Sequence, residues 1–406
     1  MHLTARLLIE TVAALGTLSS LGFYLLSGCG IANFLSYRRR RRASVSLSEN
    51  QLPPVSILKP LKGIDPQIWE AFCSHSEQDY PEFQLIFGVS DPNDPAIALV
   101  RKLQEKYPTR QIELRVCQRD LGTNRKLSTL AQMLPAARHE ILLVNDSDIS
   151  VARDYLRRVI APLKDSAVGM VTCLYRGIAA PTLGSRLEAL GISTDFVPGV
   201  LSARLIEKGL HFGLGSTLAF RRSDLQAIGG FEVMVNYLAD DYELGNRIAA
   251  LGKRVELSEV VVDTFLPAYS LGEFFDHQLR WARSVRGARS WGYIGLLLTF
   301  GLPWALMALV AARGATWAWE LFAVTVAARL AVGLTSAAVV LGDTQALRDL
   351  FLLPVRDLIA PVVWAMGLVG NRIFWRGEVF YLKNGRLERI ADEATVQQEL
   401  SRLSRP

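Results

Sequence analysis

The sequence predicts an α/β domain with a mostly parallel sheet, held between apolar segments that are long enough to cross a membrane. Three observations lead to this prediction. Strand-like and helix-like runs alternate through the middle of the chain, uncharged apolar stretches lie near both ends, and acidic residues follow the predicted strands. Because ligands of such sheets bind beyond the carboxyl ends of the strands, those acidic residues indicate a candidate site.

The composition narrows the class of protein. The chain has 406 residues, of which 50% are hydrophobic and 21% are charged, and its formal net charge is +6. These values exclude a disordered, collagen-like or coiled-coil chain. The four cysteines are widely spaced without a CxxC pair, which is typical of reduced thiols. Zinc-binding spacing and RNA-binding aromatic signatures are missing from the sequence, so we expect no nucleic-acid partner.

The apolar pattern predicts four segments: an N-terminal transmembrane anchor (1–37), a cytoplasmic α/β domain (38–290), C-terminal transmembrane and interfacial helices (291–370), and a cytoplasmic tail (371–406). The first apolar stretch, about Leu7–Leu35, supplies the ~20 residues that a span needs and is too long for a signal-peptide core. Arg38–Arg42 follow it directly. A charge run also suits a solvated tail or nucleic-acid binding, but after a span it indicates the cytoplasmic side.

Two further spans are predicted near Tyr293–Ala312 and Leu321–Leu341. The last apolar stretch, Phe351–Gly370, contains an adjacent arginine and aspartate, which are costly at bilayer depth. We therefore expect a re-entrant or interfacial helix there. In the tail, Asn384-Gly385 between strand-like runs predicts a β-hairpin.

The middle region contains strand-like runs with helical stretches between the early ones, as a parallel α/β sheet requires. The strand-like runs are Val55–Leu61, Gln84–Ser90, Ile112–Cys117, Ile141–Val144 and Val168–Leu174. The helical stretches include Ile97–Lys106 and Lys126–Leu134.

Acidic residues follow two of these strands. Asp91 comes after Gln84–Ser90, where it either forms a turn or accepts hydrogen bonds from a nucleotide base or ribose. Asp146 and Asp148 come after the apolar run Ile141–Val144. Two carboxylates at the end of a buried strand repel each other, so a divalent cation that holds a diphosphate would compensate them; a solvated turn is the alternative.

A third acidic pair, Asp240-Asp241, precedes a helical run. The pair either caps that helix or supplies a general base, because a carboxylate beside another carboxylate has its pKa raised toward a useful value. Lys126 lies at a predicted helix start, and its partner is either a diphosphate or solvent.

Basic residues recur just before the C-terminal spans. They lie at spacings of three, along one side of a helix, at His277, Arg280, Arg283, Arg286 and Arg289. Such a helix can rest on lipid headgroups. Alternatively, Arg280 with Trp281 can pair with a diphosphate and form a wall of the site.

Taken together, the motifs resemble the ceramide glucosyltransferase family, glycosyltransferase family 21, and in particular its bacterial branch of hopanoid-biosynthesis (bacteriohopanetetrol) glycosyltransferases. The resemblance covers about Pro53–Arg286, together with the N-terminal anchor and the C-terminal spans. It rests on PPVSILKPLKG, SEQDYP, SDPNDPAI, NRKLSTL, NDSDI, LADDYELG and HQLRW. It implies a GT-A nucleotide-sugar-binding domain with a Rossmann-like sheet, a UDP-sugar donor and a membrane-lipid acceptor. It also implies a location in the bacterial inner membrane with the catalytic domain in the cytoplasm.

The resemblance implies roles for the acidic residues. Asp91 matches the family aspartate that contacts the uridine, and Asp146 matches the second family aspartate. Asp148 would complete a metal-binding D-x-D for Mg²⁺ or Mn²⁺. Asp241 matches the catalytic base.

The resemblance also covers the basic helix. Arg280 and Trp281 match the end of the family's Q/R-x-x-R-W motif. The first position of that motif is His277 here, with Gln278 adjacent, so which side chain has that position's role stays open. Gln278, Arg280 and Trp281, together with Lys126, are the further candidates for donor binding.

The implied reaction is the inverting transfer of glucose or N-acetylglucosamine to a hydroxyl of a hopanoid or ceramide-type lipid. A processive polysaccharide synthase is the alternative, which the small number of predicted spans disfavours. A non-catalytic scaffold would tolerate the loss of the carboxylates, all of which are present. An ion channel or transporter has no use for the charged middle domain.

Overall fold

The computed structural model describes residues 2–44, 52–375 and 378–390. These residues form two compact units. The helical unit contains the described residues of 1–36, 179–206 and 268–377, and the sheet unit contains those of 37–178, 207–267 and 378–406. Each unit is therefore assembled from three separate stretches of the chain.

The sheet unit is built on one eight-stranded sheet. Its strands are β1 (Val55–Leu61), β2 (Phe83–Val89), β3 (Gln111–Val116), β4 (Ile141–Val144), β5 (Ile149–Ser150), β6 (Val168–Ile178), β7 (Leu218–Arg221) and β8 (Arg254–Phe265), in the order β3-β2-β1-β4-β7-β6-β8-β5. The pairs β1–β2, β1–β4, β2–β3 and β6–β8 are parallel. β7 runs antiparallel to β4 and β6, and β5 runs antiparallel to β8. The predicted α/β class is confirmed, with a mixed sheet.

The central strands are apolar because both of their faces are covered. Every residue of β1, β2 and β4 is buried, whereas β3 at the edge is not buried at any position. Phe72 and Phe87 pack with ring centroids 4.6 Å apart in the core beside these strands. The helices of this unit are α2 (Ile68–Ser76), α3 (Ala96–Lys106), α4 (Arg125–Met133), α5 (Tyr155–Ile160), α8 (Arg222–Ala227) and α9 (Asp240–Ala250).

The register brings the carboxyl ends of the parallel strands to one edge of the sheet. Val89 of β2 pairs with Leu61 of β1, and Val144 of β4 pairs with Leu58 of β1. The segments that follow β2 and β4 therefore leave the sheet on the same side, with β1 between them. Since neighbouring strands lie about 4.8 Å apart, β2 and β4 are about 10 Å apart.

The tail hairpin predicted from Asn384-Gly385 is confirmed and belongs to the sheet unit. Its strands β10 (Glu378–Lys383) and β11 (Arg386–Arg389) pair antiparallel. Asn384 and Gly385 have φ angles of 50° and 77°. A type I′ turn needs a positive φ at both central residues, and Asn-Gly is the sequence that accepts this most readily.

The helical unit contains residues 2–36 of α1 (His2–Ser44), together with α6 (Leu183–Gly191), α7 (Val197–Ile206), α10 (Leu271–Ala288), α11 (Ser290–Gly295), α12 (Gly301–Ala311), α13 (Thr316–Leu334), α14 (Thr344–Asp349), α15 (Leu353–Leu368) and the strand β9 (Arg372–Trp375). In the described part of the chain, four helical segments are long and apolar enough to cross a membrane: Thr4–Arg41, Leu183–Ile206, Thr316–Leu341 and Thr344–Leu368. The pair Ser290–Thr299 and Gly301–Ala311, bent by 50°, makes five if it counts as one span.

Three charged side chains within these apolar helices, Arg329, Asp195 and Asp357, are paired with one another. Arg329 donates hydrogen bonds to Asp357 (2.7 Å), to Asp195 (2.6 Å) and to the carbonyl of Thr194 (2.7 Å). Thr194 and Asp195 lie in a π-helical turn, Ile192–Phe196. Because an unpaired ion in an apolar environment is costly, this pairing lets the helices carry charge.

Gly245 allows α9 to approach the loop of residues 212–215. A Cβ at Gly245 would lie 2.3 Å from the nitrogen of Gly213 and 2.5 Å from the carbonyl carbon of Phe212. Since backbone atoms cannot rotate away, Gly245→Ala should lower the free energy of unfolding by about 1–3 kcal/mol, measured by thermal unfolding in detergent.

The matched control is Gly199→Ala, another helical glycine, whose Cβ would have no atom within 4 Å. That change should be neutral or stabilising by up to about 1 kcal/mol, because alanine is the better helix former. Equal stability of the two variants would contradict the close approach of α9 to the loop.

Candidate active site

The ammonium of Lys126 joins two carboxylates from distant parts of the chain. Its Nζ lies 2.8 Å from Oδ1 of Asp146 and 2.9 Å from Oδ2 of Asp240. Lys126 stands in the first turn of α4, Asp146 follows β4, and Asp240 opens α9. The structure thus brings together three of the residues singled out from the sequence.

Burial and charge act in opposite directions on Lys126. The side chain is only 8% exposed, and burial alone would lower the pKa of its ammonium. The carboxylates of Asp146 and Asp240 outweigh burial and raise the pKa above its ordinary value. Lys126 is therefore a fixed positive charge at any physiological pH.

The carboxylate of Asp241 lies beside this ion pair. It accepts hydrogen bonds from the backbone N–H groups of Gly215 (2.8 Å) and Tyr242 (2.8 Å). Burial raises the pKa of Asp241 to about 6, the neighbouring Asp240 adds to that rise, and Lys126 opposes it. A carboxylate with this pKa is poised to take up a proton near neutral pH.

Gly215 lies between two of the carboxylates. A Cβ on this residue would be 3.2 Å from Oδ2 of Asp146 and 3.4 Å from Oδ2 of Asp241. The two oxygens therefore face the same small volume, and a glycine keeps that volume open. The structure thus places the carboxylates of Asp146 and Asp241, both singled out from the motifs, beside the same glycine.

Asp148, which is half-buried, lies near Asp146. Its carboxylate accepts a hydrogen bond from the hydroxyl of Thr264. Burial, followed by the charge of Asp146 and then that of Asp65, raises the pKa of Asp148 to about 6, although the Thr264 hydroxyl opposes the rise. The site thus concentrates negative charge that a bound cation would relieve.

Lys59 is a site residue that the sequence reasoning missed. It is fully buried in β1, and its Nζ donates to the backbone carbonyl of Asp146 (2.9 Å). Burial lowers the pKa of Lys59 to about 7, and the carboxylates of Asp148 and Asp146 oppose that fall. The signal in the sequence is a lysine inside the otherwise apolar strand VSILKPL.

Asn145 is a second missed residue, and it fixes the end of β4. Its amide donates to the carbonyl of Ser216 (2.6 Å) and to the hydroxyl of Tyr155 (3.0 Å), and its Oδ1 lies 3.2 Å from Nε2 of His75. Asn145 is fully buried. It ties the segment that carries Asp146 to the loop that carries Gly215.

Asp91 lies on the same edge of the sheet but is exposed. Its carboxylate accepts a hydrogen bond from the N–H of Asn93 (2.8 Å), the turn-forming alternative given above. Contact with a uridine stays a prediction.

A small cleft near the end of β2 is lined by Ser90, Cys117, Gln118, Arg119, Asp120, Arg125, Ser128 and Thr129.

The remaining candidates lie on α10, in the helical unit. The amide of Gln278 donates to the buried carboxylate of Glu188 (2.7 Å) and accepts from Arg356 (2.8 Å). Nδ1 of His277 lies 3.2 Å from Glu188 as well, and its ring centroid is 5.4 Å from that of Trp281. Donor binding by Gln278, Arg280 and Trp281 stays a prediction. Glu188 was missed, although a glutamate in the run SRLEALG was the available signal.

In the part of the chain that the structure describes, no group of three or more histidine, cysteine, aspartate or glutamate side chains is arranged to hold a metal ion. Lys126 supplies a fixed positive charge beside Asp146, where the sequence suggested a divalent cation. Mg²⁺ is commonly bound by one or two carboxylates, with substrate phosphates and water completing its shell. Asp146 and Asp148 fit a metal of that kind, bound together with a diphosphate.

The sequence of this chain is similar to that of a known protein family. The family model described as glycosyl transferase family 21 matches residues 21–388. The chain belongs to glycosyl transferase family 21. The match runs from α1 to β11, so segments of both units take part in it, and the family-level resemblance is confirmed.

Curated relatives of this family 21 chain are ceramide glucosyltransferases. Ceramide glucosyltransferase 3 of Caenorhabditis elegans is 24% identical over 250 residues, 61% of this chain and 54% of that protein. The ceramide glucosyltransferase of Komagataella phaffii is 34% identical over 122 residues, 29% of this chain and 24% of that protein. The chain thus spans about half, or less, of the length of these relatives.

A solved structure shares the fold of this family 21 member. It is the mannosyltransferase PcManGT from Pyrobaculum calidifontis in complex with GDP-Man and Mn²⁺, with a TM-score of 0.50, 22% identity, and coverage of 86% of this chain and 96% of that chain. The predicted GT-A fold class is confirmed.

Lys126→Met should break the ion pair and leave two carboxylates without their cation. We expect a loss of roughly 3 kcal/mol in the free energy of unfolding, the low end for a buried pair, because Asp146 is 40% exposed.

Urea unfolding in detergent at neutral pH measures this effect. The matched control is Lys253→Met, because its partner Asp224 keeps Arg221 as a second cation at 3.4 Å. A loss for Lys126→Met no larger than that of the control would show that the Lys126 pair does not hold the site together.

Proposed function

We propose that this protein is a membrane-bound inverting glycosyltransferase that moves a sugar from a UDP-sugar to a hydroxyl of a membrane lipid. One observation carries the proposal: Asp241 and Asp146 face a common volume at Gly215, beside the fixed charge of Lys126. In such an arrangement a carboxylate can act as a base, and the neighbouring ammonium can stabilise a negatively charged leaving group. Membership of family 21 supports the same reaction class.

Asp241 is the base in the proposed reaction. Its carboxylate is held by two N–H groups and has a pKa of about 6, so it is ionised at neutral pH and able to accept a proton. The acceptor hydroxyl gives its proton to Asp241 as its oxygen attacks the anomeric carbon. The bond from that carbon to the diphosphate oxygen breaks, and UDP leaves with the electron pair. One displacement inverts the configuration.

The donor is bound by the remaining site residues in this proposal. Asp91 contacts the uridine, and Lys126 and Asp146 lie toward the diphosphate. A divalent metal, Mg²⁺ or Mn²⁺, would supply charge neutralisation of the diphosphate when it is bound by Asp148. Gln278, Arg280 and Trp281 are proposed to complete the donor site.

The acceptor is proposed to be a lipid because the relatives are ceramide glucosyltransferases and the chain carries several apolar helices. The motif resemblance supports a hopanoid such as bacteriohopanetetrol over ceramide, and glucose or N-acetylglucosamine as the sugar. Arg38–Arg42 support a cytoplasmic catalytic domain at the bacterial inner membrane. A site near the bilayer raises the effective concentration of a water-insoluble acceptor.

The proposed segments are an anchor (1–37), a catalytic domain (38–290), C-terminal membrane and interfacial helices (291–370) and a cytoplasmic tail (371–406). The charge pattern and the apolar helices support this division. The tail beyond residue 390 lies outside the described residues.

Purified membranes containing the protein should transfer sugar to a lipid. The assay offers UDP-glucose and UDP-N-acetylglucosamine in turn with ceramide and with bacteriohopanetetrol, and mass spectrometry resolves the products. We expect one added sugar on a single lipid class, bacteriohopanetetrol by the motif resemblance. A ladder of products that grows by one sugar at a time would instead identify a processive polysaccharide synthase.

Asp241→Asn should abolish transfer while UDP-sugar binding persists, because the amide keeps the size of the side chain but cannot accept the proton. We expect a rate loss of roughly 10²- to 10⁴-fold. In the wild type, the rate should rise as the pH increases through about 6, where Asp241 loses its proton. Asp240→Asn is the matched variant. If it abolished transfer while Asp241→Asn kept normal turnover, the base would be Asp240.

Asp148→Ala should weaken metal-dependent binding of UDP, because it removes the second carboxylate of the D-x-D. Calorimetry of UDP binding with Mg²⁺ or Mn²⁺ measures this loss. Asp154→Ala is the control, since Asp154 is exposed and pairs with Arg158 on the surface. Full wild-type activity after chelation would rule out the proposed metal.

A further inference from the structure

A hairpin at the end of the chain contacts the two loops that precede the site helices. We define the C-terminal hairpin as Glu378–Arg389, the α4 loop as residues 119–124 and the α9 loop as residues 234–239. Residues of the hairpin bond to both loops or to the first residue of α4. The contacts are Glu378 to Arg125 (2.9 Å), Arg389 to Asp120, the carbonyl of Leu387 to the hydroxyl of Thr123 (3.0 Å), the N–H of Leu387 to the carbonyl of Asn236 (2.7 Å), and the carbonyl of Gly385 to the N–H of Leu238 (3.1 Å).

The two loops are also bonded to each other. The backbone N–H of Asn124 donates to the carbonyl of Val235 (2.7 Å), and its side-chain amide donates to the carbonyl of Tyr237 (2.8 Å). Asn236 accepts from the N–H of Thr123 at 3.0 Å. The approach is close, because a Cβ on Gly122 would lie 2.5 Å from a methyl carbon of Val235.

These loops end where the site begins. Asn124 is the N-cap of α4, two residues before Lys126, and its Oδ1 accepts from the N–H of Leu127 (3.2 Å). The α9 loop ends at the residue before Asp240. The spacing between the two loops therefore sets the distance between the ammonium of Lys126 and the carboxylate of Asp240, and with it the position of the next residue, Asp241.

The hairpin is anchored by burial as well as by polar contacts. Leu387 is 2% exposed and Leu382, its cross-strand partner, is 3% exposed. The guanidinium of Arg386 lies over the ring of Tyr237 at 5.0 Å, and Arg247 of α9 lies 5.5 Å from the same ring. Contacts along both strands, rather than at one point, resist a shift of the hairpin relative to the loops.

We propose that the C-terminal hairpin is a positioning element of the active site, which holds the α4 and α9 loops together and so fixes the ion pair beside the base. Thr123, Asn236 and Leu387 are the positioning residues. This inference rests on the proposed function for its catalytic consequence. Its structural consequence is the coupling of the hairpin to both loops. That coupling can be tested without an activity assay.

Hydrogen exchange followed by mass spectrometry tests the coupling in the full-length protein in detergent. Leu387→Asp places a charge at a buried position and should loosen the hairpin. We expect faster exchange at the amides of residues 119–127 and 234–241, and unchanged exchange in the distant helix α3. Unchanged exchange in both loops while the hairpin itself exchanges faster would overturn the proposal, and so would a uniform increase across the sheet unit.

Kinetics test the catalytic consequence with a milder pair of variants. Thr123→Val removes the hydroxyl that bonds to Leu387 and Asn236, whereas Thr123→Ser keeps it. We expect Thr123→Val to lower kcat by roughly threefold to tenfold, with the KM for the UDP-sugar nearly unchanged, and Thr123→Ser to restore wild-type kcat. A merely structural role would lower the yield of folded enzyme, but it would leave the kcat of each folded molecule unchanged.

The outcomes separate the two proposals. Equal kcat for Thr123→Val and Thr123→Ser in an active wild type would overturn the positioning role and leave the proposed function intact. An inactive wild type would overturn the proposed function, and the exchange experiment would then decide whether the hairpin holds the loops.

Discussion

The buried ammonium of Lys126 is the point on which the arrangement of the site depends. A charge that is 8% exposed is tolerable only when opposite charges contact it, and Asp146 and Asp240 do so at hydrogen-bond distance. The end of β4 and the starts of α4 and α9 are thereby brought to one place. Gly215 then keeps the volume beside them open. The position of Asp241, the residue after Asp240, is a consequence of that electrostatic requirement.

Buried charges in the helical unit also contact opposite charges or polar groups. Arg329 is matched by Asp195 and Asp357, and the buried Glu188 is matched by His277 and Gln278. Each charge has a partner on a neighbouring helix, so apolar helices carry polar groups without leaving them unpaired. In both units, therefore, buried charge specifies which elements must be neighbours.

The sequence was sufficient to predict the residues whose position is decided locally. Asp146, Asp148 and Asp241 follow a buried strand or open a helix, and local patterns mark such places. The hairpin was predictable for the same reason, since Asn384-Gly385 determines its own turn. Family membership was also predictable, because motifs spread over the chain keep their order.

Other features depend on which segments become neighbours, and local patterns do not contain that information. Lys59 acts on Asp146 only because β1 pairs with β4, and Asn145 reaches Ser216 only because β7 runs antiparallel beside β4. A buried strand has the same apolar composition whether it runs parallel or antiparallel to its neighbour, so its sequence does not reveal which way it pairs. Leu183–Ile206 was not recognised as a candidate span because it includes Glu188 and Asp195, whose partners lie elsewhere in the helical unit.

The interleaved order of the two units limits how this protein can be shortened. A soluble fragment cut at residues 38 and 290 looks reasonable from the hydropathy of the chain, yet it would retain residues 179–206. Those residues include Leu190, which is fully buried against Ala337 and Leu353. Cutting away the later helices would expose that surface to water, and the fragment would aggregate. Biochemical work on the sheet unit therefore needs the whole polypeptide, extracted with its apolar helices intact.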